Sequence, residues 1–239
     1  MCKIGSAGGG GFYNIGPGGG GGCYEHFREK YEKELNLKIL SSRLVIQLLN
    51  DLKRARYNYE YLIEITGNEE ERNWFFEIPF SEERVTDVWA KDGNGGLQYS
   101  KNAEEKNKTK LNVDFRKPIN KGDQLKFSFG YTTEVLAIVN EGVFSSTVSY
   151  NDWTSHNVQC DNLKIMVNLP PNSKSLKTVP PADLSHNPVI YDVDNLRPLE
   201  YYSFLLHYEN KKIGKPFWIW LGSAILSGLV GAIISMVMV

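Results

Sequence analysis

From Phe217 to Val239 the chain runs 23 residues without a charged side chain. Wound as an α-helix at ~1.5 Å per residue, that stretch reaches about 34 Å, enough to cross a hydrocarbon core of ~30 Å. It is apolar all round, so it has no polar face to show water. Trp218 and Trp220 stand at its start, where amphipathic rings favour the headgroup level, and Lys211, Lys212 and Lys215 come just before. The sequence therefore predicts one membrane-spanning helix over 217–239, with 211–216 as a basic juxtamembrane linker. Burying such a helix in a soluble core would need more apolar partner surface than the rest of the chain supplies.

The predicted span also carries small residues at a helical interval. Ser223, Ser227, Gly231 and Ser235 recur every four positions, with Ala224, Gly228 and Ala232 beside them. Such a ridge lets helices approach closely in lipid. Ser223, Ser227, Gly228, Gly231 and Ser235 are thus the candidate association face, for a homo-oligomer or for docking on another membrane protein. The expected partners are the lipid bilayer and a protein of unknown identity.

Residues 1–22 are half glycine, a density that costs too much backbone entropy to order without a partner. They read as a flexible leader. They lack the uninterrupted apolar run of about 7–15 residues that a signal peptide needs. Gly16–Gly21 matches G-x-G-x-x-G only as any glycine run does, no strand pattern precedes it, and no Lys-Ser/Thr follows, so neither a dinucleotide site nor a P-loop is predicted. Without a signal the span inserts after synthesis, and the lysines on its domain side favour a cytosolic domain. The rival arrangement faces outward, where Asn107-Lys108-Thr109 would be a glycosylation sequon. A net charge of −1 gives no pull toward nucleic acid, and Cys2, Cys23 and Cys160 form no metal-spaced or disulfide framework.

Between leader and span the hydrophobic period changes once. Across 23–56, Tyr24, Phe27, Tyr31 and Leu35, then Leu37, Leu40, Leu44, Leu48 and Leu52, recur at three and four, which predicts one or two amphipathic helices. The Leu-Val-Ile within Arg43–Leu49 also fits an opening strand. From Tyr57 the period is two: Tyr59, Tyr61, Ile63 and Ile65; Leu111, Val113 and Phe115; Leu125, Phe127, Phe129 and Tyr131; Leu163, Ile165, Val167 and Leu169. Alternation means one buried and one wetter face, as in antiparallel sheets. Turn residues separate the runs, at Thr66–Asn68, Asp92–Gly96, Asn120–Asp123, Pro170–Asn172 and Pro180-Pro181. The fold class expected is mainly β, an antiparallel sandwich over 57–210, with no parallel α/β sheet. Phe127 and Tyr131 close one half as Phe204 and Tyr208 close the other, which suggests a half-repeat, 57–132 and 133–210. In layout alone the chain resembles juxtamembrane Ig-like sandwich domains on single-span membrane proteins.

The chemical candidates read structurally. Asp92-Gly93-Asn94-Gly95-Gly96 lacks the further oxygen ligands of a calcium loop and fits a hairpin. His156 and Cys160 fall in a predicted strand, where residues four apart lie ~13 Å apart, too far for direct proton transfer. His26, His186 and His207 form no ligand-spaced set, and His207 is expected to face solvent. Lys101, Lys106, Lys108 and Lys110 read as a solvated loop, open to acidic headgroups if it faces a membrane. Tyr150, Trp153, Tyr191, Tyr201 and Tyr202 could line an aromatic sugar-binding patch but fit a sandwich core better. No catalytic, cofactor-binding or metal-ligating residue is predicted. The expectation is a membrane-anchored, non-enzymatic interaction or scaffold protein. The alternative is an extracytoplasmic ligand- or glycan-binding domain on a single-span anchor, with an enzyme third.

Overall fold

The computed structural model describes residues 37–67, 71–105, 108–135, 137–142, 145–156, 158–198 and 200–211, together with Ser223, Ile225 and Leu226. These residues are mainly β, as the alternation predicts. The strands are β1 (Leu37–Leu48), β2 (Arg54–Ile65), β3 (Glu71–Ile78), β4 (Thr86–Asp92), β5 (Gly95–Gly96), β6 (Gln98–Glu105) and β7 (Lys108–Ile119). They continue as β8 (Gln124–Glu134), β9 (Ala137–Glu141), β10 (Ser145–Ser155), β11 (Cys160–Asn168), β12 (Ser173–Val179), β13 (Val189–Leu196) and β14 (Tyr201–Lys211). One 3₁₀ turn, Glu82–Arg84, precedes β4.

Three sheets form. A seven-stranded sheet has the order β13-β11-β1-β2-β8-β4-β5, a four-stranded sheet β12-β14-β10-β9, and a three-stranded sheet β3-β7-β6. The large sheet draws strands from both sides of the 132/133 boundary. Its register aligns Tyr191, Ile165, Leu44, Tyr59, Phe129 and Ala90 in one row across six strands, and all are buried. That face is largely aromatic where β2 meets β8: Tyr57 opposes Tyr131, Tyr59 opposes Phe129, and Tyr61 opposes Phe127. The three-stranded sheet closes over these rings through Trp74 on Tyr61 and Phe76 on Tyr59. The four-stranded sheet covers the other part of the same face through Phe204 on Tyr191 and Tyr150 against Tyr57. The opposite face of the large sheet is wet, with cross-strand pairs Arg43–Glu60 and Lys164–Asp192.

The helix expected over 23–56 is corrected within the described part: 37–48 and 54–65 are paired strands, while 23–36 lie outside the described residues. The leucine spacing that suggests a helix is shared by a strand: Leu44 and Leu48, four apart, lie on one inward face of β1, while Leu37 and Leu40 are only half-buried. A register shift between Ile39 and Ser41 also leaves Ile39 and Ser42 both inward, three apart, before strict alternation resumes at Leu44, Ile46 and Leu48. The loop expected over Ser100–Lys110 is corrected as well. It is edge strand β6 and the start of β7, with Lys106 and Asn107 outside the described residues. Lys101 Nζ donates to the carbonyls of Glu82 and Val85, both at 3.0 Å, and Lys110 sits over the Phe75 ring at 4.3 Å. The Asp92–Gly96 hairpin forms as expected, Asp92 opposing Gly95. The sheet is not purely antiparallel: β1 runs parallel to β11. A parallel pair needs a long crossover, and here the intervening sheets, rather than a helix, supply it.

Gly130 is a glycine the packing requires. A Cβ there would meet Asn58 Oδ1, Trp89 Nε1 and the Tyr57 carbonyl, each at 2.7 Å. Gly130→Ala is expected to cost about 1–3 kcal/mol, because the carbonyl belongs to the neighbouring strand and has little room to yield. Urea denaturation of the variant checks this.

Beyond Lys211, Ser223, Ile225 and Leu226 are helical and exposed. Among the described residues no helix is long and apolar enough to cross a membrane. Lys212, Lys215, Trp218, Trp220, Ser227, Gly228, Gly231 and Ser235 lie outside the described residues, as does most of the predicted span.

Candidate functional site

The four-stranded sheet has the cleanest division between a buried and an open face. Val148, Tyr150, Phe204, Leu206 and Tyr208 point inward and are buried. The register sets Ile138, Ser149, His207 and Lys177 in one outer row, and Asn151, Leu205 and Val179 in the next. Trp153, opposite Ser203, and Tyr201 continue that face toward the start of β14. Four large side chains stand open on it: Ile138 at 68%, Tyr201 at 65%, Val179 at 45% and Trp153 at 43% exposure. Trp153 and Tyr201 meet edge to face, centroids 5.3 Å apart. His207 is on the outer face, as expected, but half-buried, its Nδ1 lying 2.8 Å from Ser149 Oγ. Lys174 and Lys211 belong to the same face through their opposition to Glu209 and Ser145.

The five aromatics grouped by the sequence therefore separate. Trp153 and Tyr201 come together in the open. Tyr150 and Tyr191 are core, and Tyr202 packs on Tyr191 at 6.0 Å. Lys211, the one linker lysine described, ends β14 and is exposed.

Where β10 meets the large sheet, a carboxylate faces inward. Asp152 Oδ2 accepts from Tyr57 Oη at 2.7 Å and from Tyr150 Oη, while its Oδ1 accepts the Trp153 N–H at 2.8 Å. The two hydroxyls are themselves 3.0 Å apart. Burial raises Asp152 above the ordinary carboxylate range, against the downward pull of its three donors. Burial and the adjacent Asp152 charge together push the Tyr57 and Tyr150 hydroxyls well above the ordinary phenol range. All three groups thus keep their protons more firmly than in water, and the cluster reads as a polar rivet between two sheets. Sequence reasoning passed over Asp152, although its place between inward Tyr150 and Thr154 was a usable signal. Tyr57→Phe keeps the ring stacked on Tyr131 at 5.1 Å but removes one donor. It is expected to lower stability by about 1–3 kcal/mol, read as a reduced urea midpoint with unchanged slope.

His156 and Cys160 do not share one strand: β10 ends before His156 and β11 begins at Cys160. His156 lies edge-on to the Tyr61 ring, centroids 5.6 Å apart, and burial lowers its pKa to about 4. Burial pushes the Cys160 thiol up to about 12, and its Sγ donates to the Asn162 carbonyl at 3.3 Å. A protonated thiol and a neutral ring in these settings are not an activated nucleophile and base. Among the described residues no group of acidic, histidine and cysteine side chains is arranged to hold a metal ion.

No family model matches the chain, and no curated protein does. Three solved structures illustrate the backbone likeness found. The first is a protein from Legionella pneumophila described as a candidate nutrient-binding protein, 10% identical, with a TM-score of 0.45 over 72% of this chain and 67% of that one. Leukotriene A4 hydrolase from Saccharomyces cerevisiae in complex with bestatin is 9% identical, with a TM-score of 0.47 over 72% of this chain and 28% of that one. The M1 zinc metallopeptidase E323A mutant from Deinococcus radiodurans is 9% identical, with a TM-score of 0.47 over 73% of this chain and 42% of that one. The chain thus spans less than half the length of the last two.

Proposed function

We propose that this chain is a membrane-anchored, non-enzymatic interaction protein that presents a sandwich of packed sheets, Ig-like in layout, at a membrane surface. The observation that supports the reading most is continuity. Strand β14, central in the four-stranded sheet, ends at Lys211, and only residues 212–216 separate it from the uncharged stretch 217–239. The domain and the anchor are then one mechanical unit, with the lysines at the headgroups and the domain on the cytosolic side. Ser223, Ser227, Gly228, Gly231 and Ser235 form the face through which spans associate, which would multiply a weak contact made by the domain.

The test uses the full chain with an N-terminal tag in intact cells. Membranes are extracted at alkaline pH and then treated with protease from the cytosolic side. The expected result is a chain that stays with the membrane and a tag that is digested. Leu226→Arg, which places a charge in mid-span at a cost of about 2.5–3.5 kcal/mol, is expected to release part of it. A wild-type chain recovered in the alkaline supernatant would sink the anchor. The exposed Trp153–Tyr201 pair supports a second reading, an outward-facing glycan- or ligand-binding domain. Protection of the tag, or a glycan on Asn107, would put that reading first.

A further inference from the structure

Large exposed side chains are unevenly placed on this molecule. Of those described in the β domain, Phe75 and Tyr99 sit on the three-stranded sheet. The rest, Ile138, Trp153, Leu176, Val179, Leu184 and Tyr201, sit on the four-stranded sheet or in the β12–β13 connection. The outer face of the large sheet carries cross-strand ion pairs instead. One open face is thus apolar at several points, and it belongs to the sheet whose own strand leads to the anchor.

We propose that the outer face of the four-stranded sheet lies flat on the bilayer, with Trp153 and Tyr201 at headgroup depth and Lys174, Lys177 and Lys211 against acidic lipid. The proposal rests on the anchored reading above. Three arguments carry it. The first is reach: residues 212–216, even fully extended, span at most about 18 Å, so the end of β14 cannot stand far from the surface. The second is charge: three lysines share this face with one carboxylate, Glu209, and Lys212 and Lys215 follow in sequence. Basic groups near an anionic leaflet are attracted to it, and their clustering beside a span is the usual form of that attraction. The third is residue type. Trp and Tyr favour the boundary between headgroup and acyl chain, because the ring is apolar and its N–H or O–H stays wet.

Laid flat, β14 runs about 33 Å along the surface, from Lys211 beside the span to Tyr201 at the far end. Two well-separated contacts then fix the orientation of the domain, one basic and one aromatic. The wet face of the large sheet is turned toward solvent, where a protein partner would meet it.

The test is fluorine NMR of the full chain, labelled with fluorotryptophan and held in nanodiscs containing phosphatidylserine. Trp153→Phe identifies the Trp153 line. A lipid carrying a headgroup spin label is expected to broaden that line several-fold more than a soluble gadolinium chelate does. In nanodiscs of phosphatidylcholine alone the lipid effect is expected to fall several-fold. A Trp153 line broadened by the chelate and not by the lipid would overturn the proposal, since the face is then in water. A line broadened by neither overturns it too, because protein covers the face. So does broadening that ignores the acidic lipid. Alkaline extraction of the same sample separates the two ideas. A chain lost from the lipid sinks the anchor, whereas a retained chain with Trp153 in water sinks only the docking.

Discussion

Phe129→Ala is expected to lower stability by about 3–5 kcal/mol, among the largest single losses available to this fold. Phe129 is fully buried and stacks on Tyr59 with centroids 5.0 Å apart and planes 15° from parallel. It also meets Phe76 at 5.0 Å and Tyr61 at 5.9 Å, so it joins β2, β8 and the three-stranded sheet at one point. Removing the ring leaves a hole whose walls are other rings on paired strands. They cannot collapse without shifting register, so the cavity cost adds to the lost transfer energy. Phe129→Leu, which fills more of the space, is expected to cost much less. Denaturant midpoints of both variants are the measurement. Equal, small losses would mean that the rings, and with them the junction of the two sheets, repack freely.

Acid is expected to weaken the fold through His156. The ring is buried, its Nε2 has no hydrogen-bond partner among the described residues, and its pKa is held at about 4. In the unfolded chain the same ring titrates near the ordinary 6.5. Between those values the unfolded state binds the extra proton, so stability falls as pH drops from about 6.5 toward about 4 and is insensitive to this ring above that window. The full effect is about 3 kcal/mol, of which roughly 2 should appear between pH 7 and pH 5. Asp152 works the other way. Its pKa is raised, so it stabilises the fold at low pH and loses that contribution as pH rises from 3.8 through its folded value. His156→Gln is expected to flatten the profile, and Asp152→Asn to steepen the acid loss. A His156→Gln variant with the wild-type profile would exclude His156 as its source.

Much of the strand content is visible in residue alternation, since Tyr57, Tyr59, Tyr61 and Ile63 announce one buried face without help from the rest of the chain. The first strand reads as helix because Leu44 and Leu48 are four apart, an interval that one strand face and one helix face share, and Leu37 and Leu40 extend that spacing although they are only half-buried. The lysine-rich run around 101–110 looked like loop because an edge strand can be polar on both sides and still pair, as β6 does with β7. Partner choice was invisible. That β1 lies between β2 and β11 follows from how distant apolar faces fit, which alternation does not encode. The open face of the four-stranded sheet is half legible: Trp153 and Tyr201 stand out as residues, but only the register of β10 with β14 shows that both point outward while Tyr150 and Tyr202 do not.

The parallel seating of β1 against β11 has a consequence for how the protein is made. One edge of β1 pairs with β2 almost at once, across a short connection, but its other edge waits for a strand more than a hundred residues later. At a synthesis rate of ~5–20 residues per second, that unpaired edge stands open for roughly 5–20 s in each new chain. An unpaired strand edge is a template for the wrong neighbour, including the same strand of another nascent copy. The nascent chain thus passes through a period of exposure in which chaperone access, more than final stability, decides its yield.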